Sequence, residues 1–292
     1  MTVTKSPHDP DSMVFPALGG EQVLPLFRPS EPLHVTVGIA PALGFRAEYY
    51  GPLARQLSAM GFHVALVDHP GHGLSPVRSR RQHNWGYGDL VTQLGVVRHL
   101  LQREMPGHRF FWLGHSIGGQ VALMDAGAHP GEVDGVFLVA SGTPYHRAWL
   151  GWEGHRLHLN SYLVQLLSSG LGYFPGDKVG FGGREARQLM AEWASLARRG
   201  SYTFPNFDGE VLLRACMAPV WSIRLEGDDW APQAAIDHTL NKLPSPFIHR
   251  EVWSDHHITN PHNRWPRDAA HVVARLKEWV VDPAVQFSNN QR

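Results

Sequence analysis

Cysteine and net charge are the two quantities that this sequence has least of. Cys216 is the single cysteine among 292 residues, which excludes an internal disulfide and suits a reducing compartment. The 26 lysines and arginines balance the 26 aspartates and glutamates, so the formal net charge is zero. Nucleic acid and anionic membranes both need a basic excess in their main partner. We therefore expect a cytoplasmic protein with no nucleic-acid partner.

Long apolar runs are also missing. No run approaches the ~20 residues of a transmembrane helix, and the first ten residues lack the apolar stretch of a signal peptide. No membrane insertion is predicted. With 43% hydrophobic and 18% charged residues, the composition is nevertheless that of a soluble globular protein with a substantial core. The oligomeric state is left open.

Apolar strands alternate with amphipathic helices along most of the chain. Each strand is a continuous apolar run, which predicts an α/β fold with a mostly parallel, doubly wound sheet covered on both faces. An edge strand is predicted at 22–27, because Pro25 cannot sit in a central ladder. The predicted buried strands are 33–40, 62–67, 110–113, 133–140, 220–225 and 247–253.

Four segments divide the chain. Residues 1–20 are polar and proline-rich, and we expect them to be mobile. Residues 21–145 form the first part of the sheet domain and residues 219–292 its second part. Between them, residues 146–218 contain no clear buried strand but many aromatic residues and helical patches. This stretch is predicted to be an inserted helical lid.

The stretch Gly114-His115-Ser116-Ile117-Gly118 has the form Gly-x-Ser-x-Gly. An apolar strand precedes it and a helix-forming run follows it, which predicts a nucleophile elbow with Ser116 in a strained turn. Glycine is expected at 114 and 118 because a Cβ atom there would collide with the neighbouring strand or helix. The alternative is a tight turn in which the serine only caps the helix.

Carboxylates and histidines follow at the ends of two later strands. Asp228 and Asp229 come after the strand at 220–225, and His256 and His257 after the strand at 247–253. The carboxyl ends of parallel strands converge on one crevice. A serine nucleophile needs a histidine base and a carboxylate that orients it. The sequence therefore predicts a catalytic triad, and either member of each pair could serve.

Three local motifs resemble those of the α/β-hydrolase-fold serine hydrolases. They are Pro41-Ala42-Leu43-Gly44 with Tyr50 following, Asp68-His69-Pro70-Gly71-His72-Gly73-Leu74-Ser75, and Gly114 to Gly118. The order Ser, Asp, His is also that of the fold. The chain looks most like the bacterial predicted α/β-hydrolase branch whose oxyanion loop reads Pro-Ala-x-Gly. The resemblance covers about 22–145 and 219–281.

The resemblance implies roles for the paired residues. Members of the fold usually carry the acid four residues before a proline, which selects Asp228 before Pro232 and leaves Asp229 as runner-up. The usual Gly-His-apolar pattern around the base fits His257, although His256, the runner-up, replaces the glycine.

Two backbone N–H groups are implied as oxyanion donors, those of Ile117 and Leu43. Pro41 and Ala42 stand where His-Gly is commoner, so the position of the second donor could shift by one residue.

Most of the 19 histidines receive a structural interpretation. His155 and His158 could share a helix face but lack a third metal ligand nearby. His69 and His72 are predicted to bond the backbone, and His115 to be structural.

These residues predict a serine hydrolase that cleaves a carboxylic ester through an acyl-enzyme, with no metal or organic cofactor. The aromatic residues of the lid suggest a small-molecule substrate with an apolar portion. The same triad could hydrolyse a thioester, lactone or amide, transfer an acyl group or cleave a carbon–carbon bond. A non-catalytic small-molecule-binding protein on this scaffold is the alternative of another class.

Overall fold

A computed structural model describes residues 10–255 and 257–282 as a sheet domain with an inserted helical segment. The sheet has eight strands in the order β1-β2-β4-β3-β5-β6-β11-β12. Two small two-stranded sheets, β7–β8 and β9–β10, lie in the insertion. The strands are β1 Asp11–Ala17, β2 Gly20–Phe27, β3 Val35–Ala40, β4 His63–Leu66, β5 Arg109–His115, β6 Gly135–Val139, β7 Tyr173–Pro175, β8 Arg184–Ala186, β9 Thr203–Phe204, β10 Phe207–Asp208, β11 Val220–Leu225 and β12 Ile248–Trp253.

Helices follow the strands in the predicted alternation, and three short 3-10 helices join them. The α-helices are α1 Gly51–Ala59, α2 Tyr87–Glu104, α3 Ile117–Ala128, α4 Gly151–Leu171, α5 Gly176–Val179, α6 Arg187–Arg199, α7 Gly209–Ala215, α8 Gln233–Leu240, α9 Pro261–Arg264 and α10 Ala270–Val281. The 3-10 helices are Ala47–Tyr50, His146–Ala148 and Trp265–Arg267.

Six neighbouring strands of the large sheet, from β4 to β12 in the sheet order, run parallel. Strands β3, β4 and β6 are buried at every residue, as expected for strands covered on both faces. Helix α1 packs with α10, and α3 packs with α2 and α7. The predicted fold class, a mostly parallel sheet flanked by helices, is confirmed. All carboxyl ends of the parallel strands therefore face one side of the domain.

The N-terminal hairpin differs from the prediction of a mobile segment at 1–20. Residues 11–17 form β1, which pairs antiparallel with β2 over its whole length. Alternate residues of β1 face inward, and Phe15 is buried in the main core. This period of two was hidden by Pro16 within the strand and by the polar, proline-rich stretch before it. The edge of the sheet is therefore β1, and the strand predicted as the edge lies inside it. Residues 1–9 lie outside the described residues.

The segment predicted as a lid at 146–218 lies between β6 and β11, and its borders stay a prediction. Its two long helices, α4 and α6, pack against each other. Helix α4 turns Ser161, Val164 and Ser168 inward and leaves an apolar outer side exposed. The exposed large apolar side chains of α4 are Trp152, Leu159, Tyr162, Leu163, Leu166 and Leu171.

Candidate active site

Ser116 occupies a strained turn between β5 and α3. Its backbone has φ 54° and ψ −121°, a conformation that a residue with a side chain rarely adopts. Helix α3 begins at the next residue, Ile117. The Ser141 hydroxyl donates to the Ser116 carbonyl at 2.7 Å, and the Ser116 N–H donates to the Val139 carbonyl at 3.2 Å. This is the strand–turn–helix setting that the Gly-x-Ser-x-Gly pattern requires of a nucleophile.

The two glycines of the pattern allow this turn because two backbones approach closely there. A Cβ atom on Gly114 would lie 2.3 Å from the Cα atom of Gly119. One on Gly118 would lie 2.2 Å from the carbonyl oxygen of Ala40, at the end of β3. Backbone cannot give way as a flexible side chain can, so both positions are restricted to glycine.

The loop after β3 supplies the second candidate oxyanion donor. The N–H of Ala42 donates to the Tyr50 hydroxyl at 3.0 Å. Among the described residues, the N–H groups of Leu43 and Ile117 have no hydrogen-bond acceptor. Because Ala42 is already engaged, Leu43 is the residue of this pair whose N–H is free to bind an oxyanion. The role of Leu43 as the second oxyanion donor stays a prediction.

Asp228 lies in the turn after β11 with its side chain fully buried. Its Oδ1 atom accepts from the N–H groups of Trp230 at 2.7 Å and Ala231 at 3.2 Å. Its Oδ2 atom accepts from the Nδ1 atom of His262 at 2.8 Å. The neighbouring Asp229 is exposed. The structure therefore gives Asp228, and not Asp229, a histidine partner.

That partner is not the histidine expected from the sequence. His257 is exposed after β12, and its backbone N–H donates to the Oδ1 atom of Asp255 at 2.9 Å. His256 lies outside the described residues. The histidine that meets Asp228 is His262, which is buried on the short helix α9. The predicted pairing of His257 with Asp228 therefore differs from the structure, because the chain runs five residues further before it turns back to the acid.

Little in the sequence could have pointed to His262. The Gly-His-apolar pattern favoured the residues directly after β12, as in most members of the fold. Asn260-Pro261 marks a turn and a helix start, since proline suits the first turn of a helix. Asn260 has φ 55°, so the chain bends there before it enters α9. The Asn260-Pro261 pair is therefore the local sequence signal that a new element begins just before His262.

His115 connects the nucleophile turn to His262. Its ring is fully buried and lies 5.1 Å from the ring of His262, centroid to centroid. Burial lowers the pKa of His115 well below its usual range, and the nearby His262 lowers it further. His115 is therefore a neutral packing residue in the core, as predicted, and His262 lies beside the turn that carries Ser116.

Comparison with known proteins places the chain in a family. Residues 32–193, more than half of the 292-residue chain, match the family model described as Serine aminopeptidase, S33. The chain belongs to this family. A methyl ester esterase of Edwardsiella ictaluri, which acts on pimeloyl-[acyl-carrier protein], is 36% identical over 113 residues, 39% of this chain and 38% of that protein. Human monoglyceride lipase is 29% identical over 116 residues, 39% of this chain and 37% of that protein.

The chain thus matches less than two fifths of the length of these curated relatives. Solved structures match over nearly the whole chain. A soluble variant of monoglyceride lipase from Saccharomyces cerevisiae has a TM-score of 0.68 at 14% identity, covering 96% of this chain and 97% of that one. A carboxyl esterase from Bacillus coagulans has a TM-score of 0.63 at 16% identity, covering 93% and 97%. These likenesses confirm the α/β-hydrolase fold; the narrower resemblance to the Pro-Ala-x-Gly branch stays a prediction.

In this member of the S33 family, a buried ion pair joins the insertion to the sheet domain near the loop after β3. His72, in the loop after β4, pairs with Glu185 of β8 at 3.0 Å, and both side chains are buried. Burial lowers the pKa of His72, but the charge and hydrogen bond of Glu185 outweigh it and hold the pKa above its usual value. His72 therefore bonds a carboxylate instead of the predicted backbone. His69 donates to the Pro41 carbonyl at 3.0 Å, as predicted, and burial lowers its pKa to about 4.

Aromatic side chains of the insertion reach the neighbourhood of His262. Phe181 stacks on Trp230 with ring centroids 5.7 Å apart and an angle of 5° between the planes. Trp193 packs against Phe181 at 4.9 Å, and the Trp230 ring lies 6.4 Å from that of His262. Leu43, in the loop after β3, packs against the same small apolar cluster as Phe181 and Trp193. Apolar surface therefore borders the candidate site on the side of the insertion.

Other features of the described chain lie apart from this site. Within 10–255 and 257–282, no three His, Cys, Asp or Glu side chains are grouped so that they could hold a metal ion. No helix in the same residues combines the length and apolarity needed to cross a membrane. A groove of about 820 Å³ lies between α2 and the end of α3, and Ser116, Asp228 and His262 are not among its lining residues.

Proposed function

We propose that this chain is a serine hydrolase that cleaves carboxylic esters through an acyl-enzyme. Ser116 is the nucleophile, His262 the general base and Asp228 its orienting carboxylate, with the N–H groups of Leu43 and Ile117 as oxyanion donors. The observation that carries the proposal is the 2.8 Å hydrogen bond between the Asp228 and His262 side chains beside the strained turn of Ser116. His262 takes the role first expected of His257.

The hydrogen bond sets the state of the imidazole. Because Asp228 accepts at Nδ1, the proton of neutral His262 lies on Nδ1 and its Nε2 atom is a free base. The N–H groups of Trp230 and Ala231 donate to the Oδ1 atom of Asp228 and hold its carboxylate in place, where it can stabilise the imidazolium that forms. This is the tautomer that a serine nucleophile requires.

The reaction then proceeds in two balanced halves. His262 Nε2 accepts the hydroxyl proton as the Ser116 Oγ atom bonds to the ester carbon, and the carbonyl electron pair moves to oxygen. The resulting oxyanion lies at the N–H groups of Leu43 and Ile117. When the carbonyl reforms, the bond to the leaving oxygen breaks, and His262 returns the proton to that oxygen. Water repeats the sequence on the acyl-enzyme and releases the acid and Ser116.

The apolar border of the site supports an ester with an apolar portion. Phe181, Trp193, Trp230 and Leu43 offer aromatic and aliphatic surface next to His262. The names of the relatives, a methyl ester esterase and a monoglyceride lipase, support the ester over the amide, thioester and lactone alternatives. The family name points to peptides, which makes the amide the competing substrate class.

Covalent labelling tests the proposal. A fluorophosphonate probe, followed by peptide mapping, should label Ser116 in the native protein, and the Ser116→Ala variant should take up no label. Ser169→Ala, which alters an exposed serine of α4, serves as the control and should label like the wild type. Native protein that takes up no label at any concentration would contradict the proposal and favour a binding protein on this scaffold.

A further inference from the structure

The 3-10 helix Ala47–Tyr50 lies between the oxyanion loop and α1 and carries two adjacent tyrosines. Their hydroxyl groups point to different parts of the candidate site. Tyr50 contacts the oxyanion loop and His115, whereas Tyr49 contacts the segment that carries His262. The mechanism above assigns neither hydroxyl a role.

Tyr50 joins the oxyanion loop to the nucleophile strand. Its hydroxyl is fully buried, lies 3.0 Å from the Ala42 N–H and lies 2.7 Å from the Nδ1 atom of His115. Burial raises the pKa of Tyr50 far above its usual value, so the phenol keeps its proton. The hydroxyl therefore accepts from Ala42 and donates to His115. The Ala42 N–H belongs to the peptide unit directly before the one that carries the Leu43 N–H, so this bond restrains the neighbouring peptide of the loop.

The direction of these bonds also fixes His115. Because its Nδ1 atom accepts from Tyr50, the ring proton lies on Nε2, which has no hydrogen-bond partner among the described residues. The His115 ring in turn lies 5.1 Å from the ring of His262, centroid to centroid. A chain of contacts thus runs from the Ala42 N–H through Tyr50 and His115 to His262.

Tyr49 holds the other side of the site. Its hydroxyl donates to the Asn263 carbonyl at 2.8 Å, one residue after His262. The guanidinium group of Arg267 lies over its ring at 5.2 Å, and Phe45 packs edge-on to it at 5.0 Å. Helix α9 has only four residues, and the 3-10 helix Trp265–Arg267 follows it directly. A bond to its backbone from a separate element therefore restrains where the His262 ring lies.

We infer that Tyr49 and Tyr50 are positioning residues for the two halves of the proposed reaction. Tyr50 sets the Leu43 N–H for the oxyanion through its bond to the Ala42 N–H. Tyr49 sets His262 for proton transfer through its bond to the Asn263 carbonyl. The inference rests on the proposed ester hydrolysis, and it predicts different chemical defects for two neighbouring hydroxyl groups.

The defects differ because the two groups act on different atoms of the transition state. A poorly placed oxyanion donor affects any oxygen ester but matters less for a thiono ester, whose sulfur is a weaker hydrogen-bond acceptor. A poorly placed His262 affects an alkyl leaving group, which needs a proton, more than a nitrophenolate, which leaves without one. Uniform loosening of the site would change all three substrates alike.

The experiment compares Tyr49→Phe, Tyr50→Phe and the exposed control Tyr162→Phe, each of which keeps its aromatic ring. We measure kcat/KM for ethyl butyrate, 4-nitrophenyl butyrate and the thiono analogue of the latter. Each value is divided by the concentration of serine that reacts with a fluorophosphonate, so that unfolded protein is not counted as enzyme. Tyr50→Phe should lower kcat/KM for both oxygen esters about tenfold or more, and for the thiono ester much less. Tyr49→Phe should lower kcat/KM for the ethyl ester about tenfold, and kcat/KM for the 4-nitrophenyl ester less than about threefold.

Equal losses on all three substrates, or losses no larger than those of Tyr162→Phe, would overturn the inference and leave the tyrosines as packing residues. If Tyr50→Phe gives no folded protein, the test rests on Tyr49→Phe. An unchanged ratio of kcat/KM for the ethyl ester to kcat/KM for the nitrophenyl ester would contradict the role of Tyr49. A wild type that neither labels nor hydrolyses any ester would overturn the proposed function as well. An active wild type with unaffected variants would overturn the positioning role only.

Discussion

The two halves of the candidate site are built in different ways. The nucleophile half, Ser116 with Ile117, lies where a buried strand passes directly into a helix, and close-packed glycines fix the turn. The proton half, Asp228 with His262, lies on a turn and a four-residue helix 34 positions apart, and side-chain hydrogen bonds fix it.

The difference shows which interactions each half depends on. Main-chain packing sets the nucleophile, because its glycines contact both the start of α3 and the end of β3. The base is set by a contact between distant segments, and any histidine that reaches Asp228 could serve. We therefore expect substitutions of the packed glycines in the first half to act through both folding and activity, and substitutions in the second half to change activity far more than stability.

The base gives the largest expected effect. His262→Ala should lower kcat by about 10⁴-fold or more, because the Ser116 proton then has no acceptor. His257→Ala should stay within about threefold of the wild type, since its side chain is exposed. Ester hydrolysis measures both. The opposite ranking would return the base to the residues directly after β12 and remove the contrast between the two halves.

The acid should give the next largest effect. Asp228→Asn should lower kcat by about 10⁴-fold, because an amide at this position favours the wrong imidazole tautomer of His262. Asp229→Asn alters an exposed carboxylate and serves as the matched control, with little change in kcat. Thermal unfolding of both variants checks that the fold persists. Similar losses for the two variants would contradict the assignment of the acid.

The nucleophile half can be tested by a glycine pair that leaves the reacting groups unchanged. Gly118→Ala should lower the free energy of unfolding by about 3 kcal/mol, because its Cβ atom would lie 2.2 Å from the Ala40 carbonyl oxygen. Gly170→Ala, also helical but with no atom within 4 Å of the added carbon, should be neutral or stabilising by up to about 1 kcal/mol. Urea unfolding compares them. Equal stability would mean that packing does not set the elbow.

The smallest expected effect concerns the anchor between His72 and Glu185, beside the oxyanion loop. The pKa of His72 is raised by Glu185, so the stabilisation from protonated His72 is complete below the unfolded pKa of about 6.5 and is lost as pH rises through the higher folded value. His72→Gln should therefore lower the unfolding free energy by about 1–2 kcal/mol at pH 5.5 and by less at pH 9.

His155→Gln, on the exposed side of α4, controls for the loss of an imidazole. Urea unfolding at both pH values gives the difference between each variant and the wild type. A deficit of His72→Gln that grows from pH 5.5 to pH 9 would contradict the ion pair.

Much of the fold could be predicted because its signals are local. Continuous apolar strands such as Val35–Ala40 are buried on both faces, and this burial requires no knowledge of the neighbours. Strand β1 was missed because Pro16 interrupts it and a polar stretch precedes it, whereas β2 was predicted as an edge strand and lies between β1 and β4. The insertion was predicted as helical, and its four short strands were missed because each has only two or three residues, too few to show a period of two.

By itself the sequence determined the alternating sheet and the elbow at Ser116, because continuous apolar strands and a Gly-x-Ser-x-Gly pattern between a strand and a helix are local signals. It also narrowed the acid to Asp228 or Asp229. Only the tertiary structure decided which carboxylate is buried and which of several histidines meets it. The physical reason is that a hydrogen bond across 34 residues depends on how the chain bends at Asn260 before it enters α9.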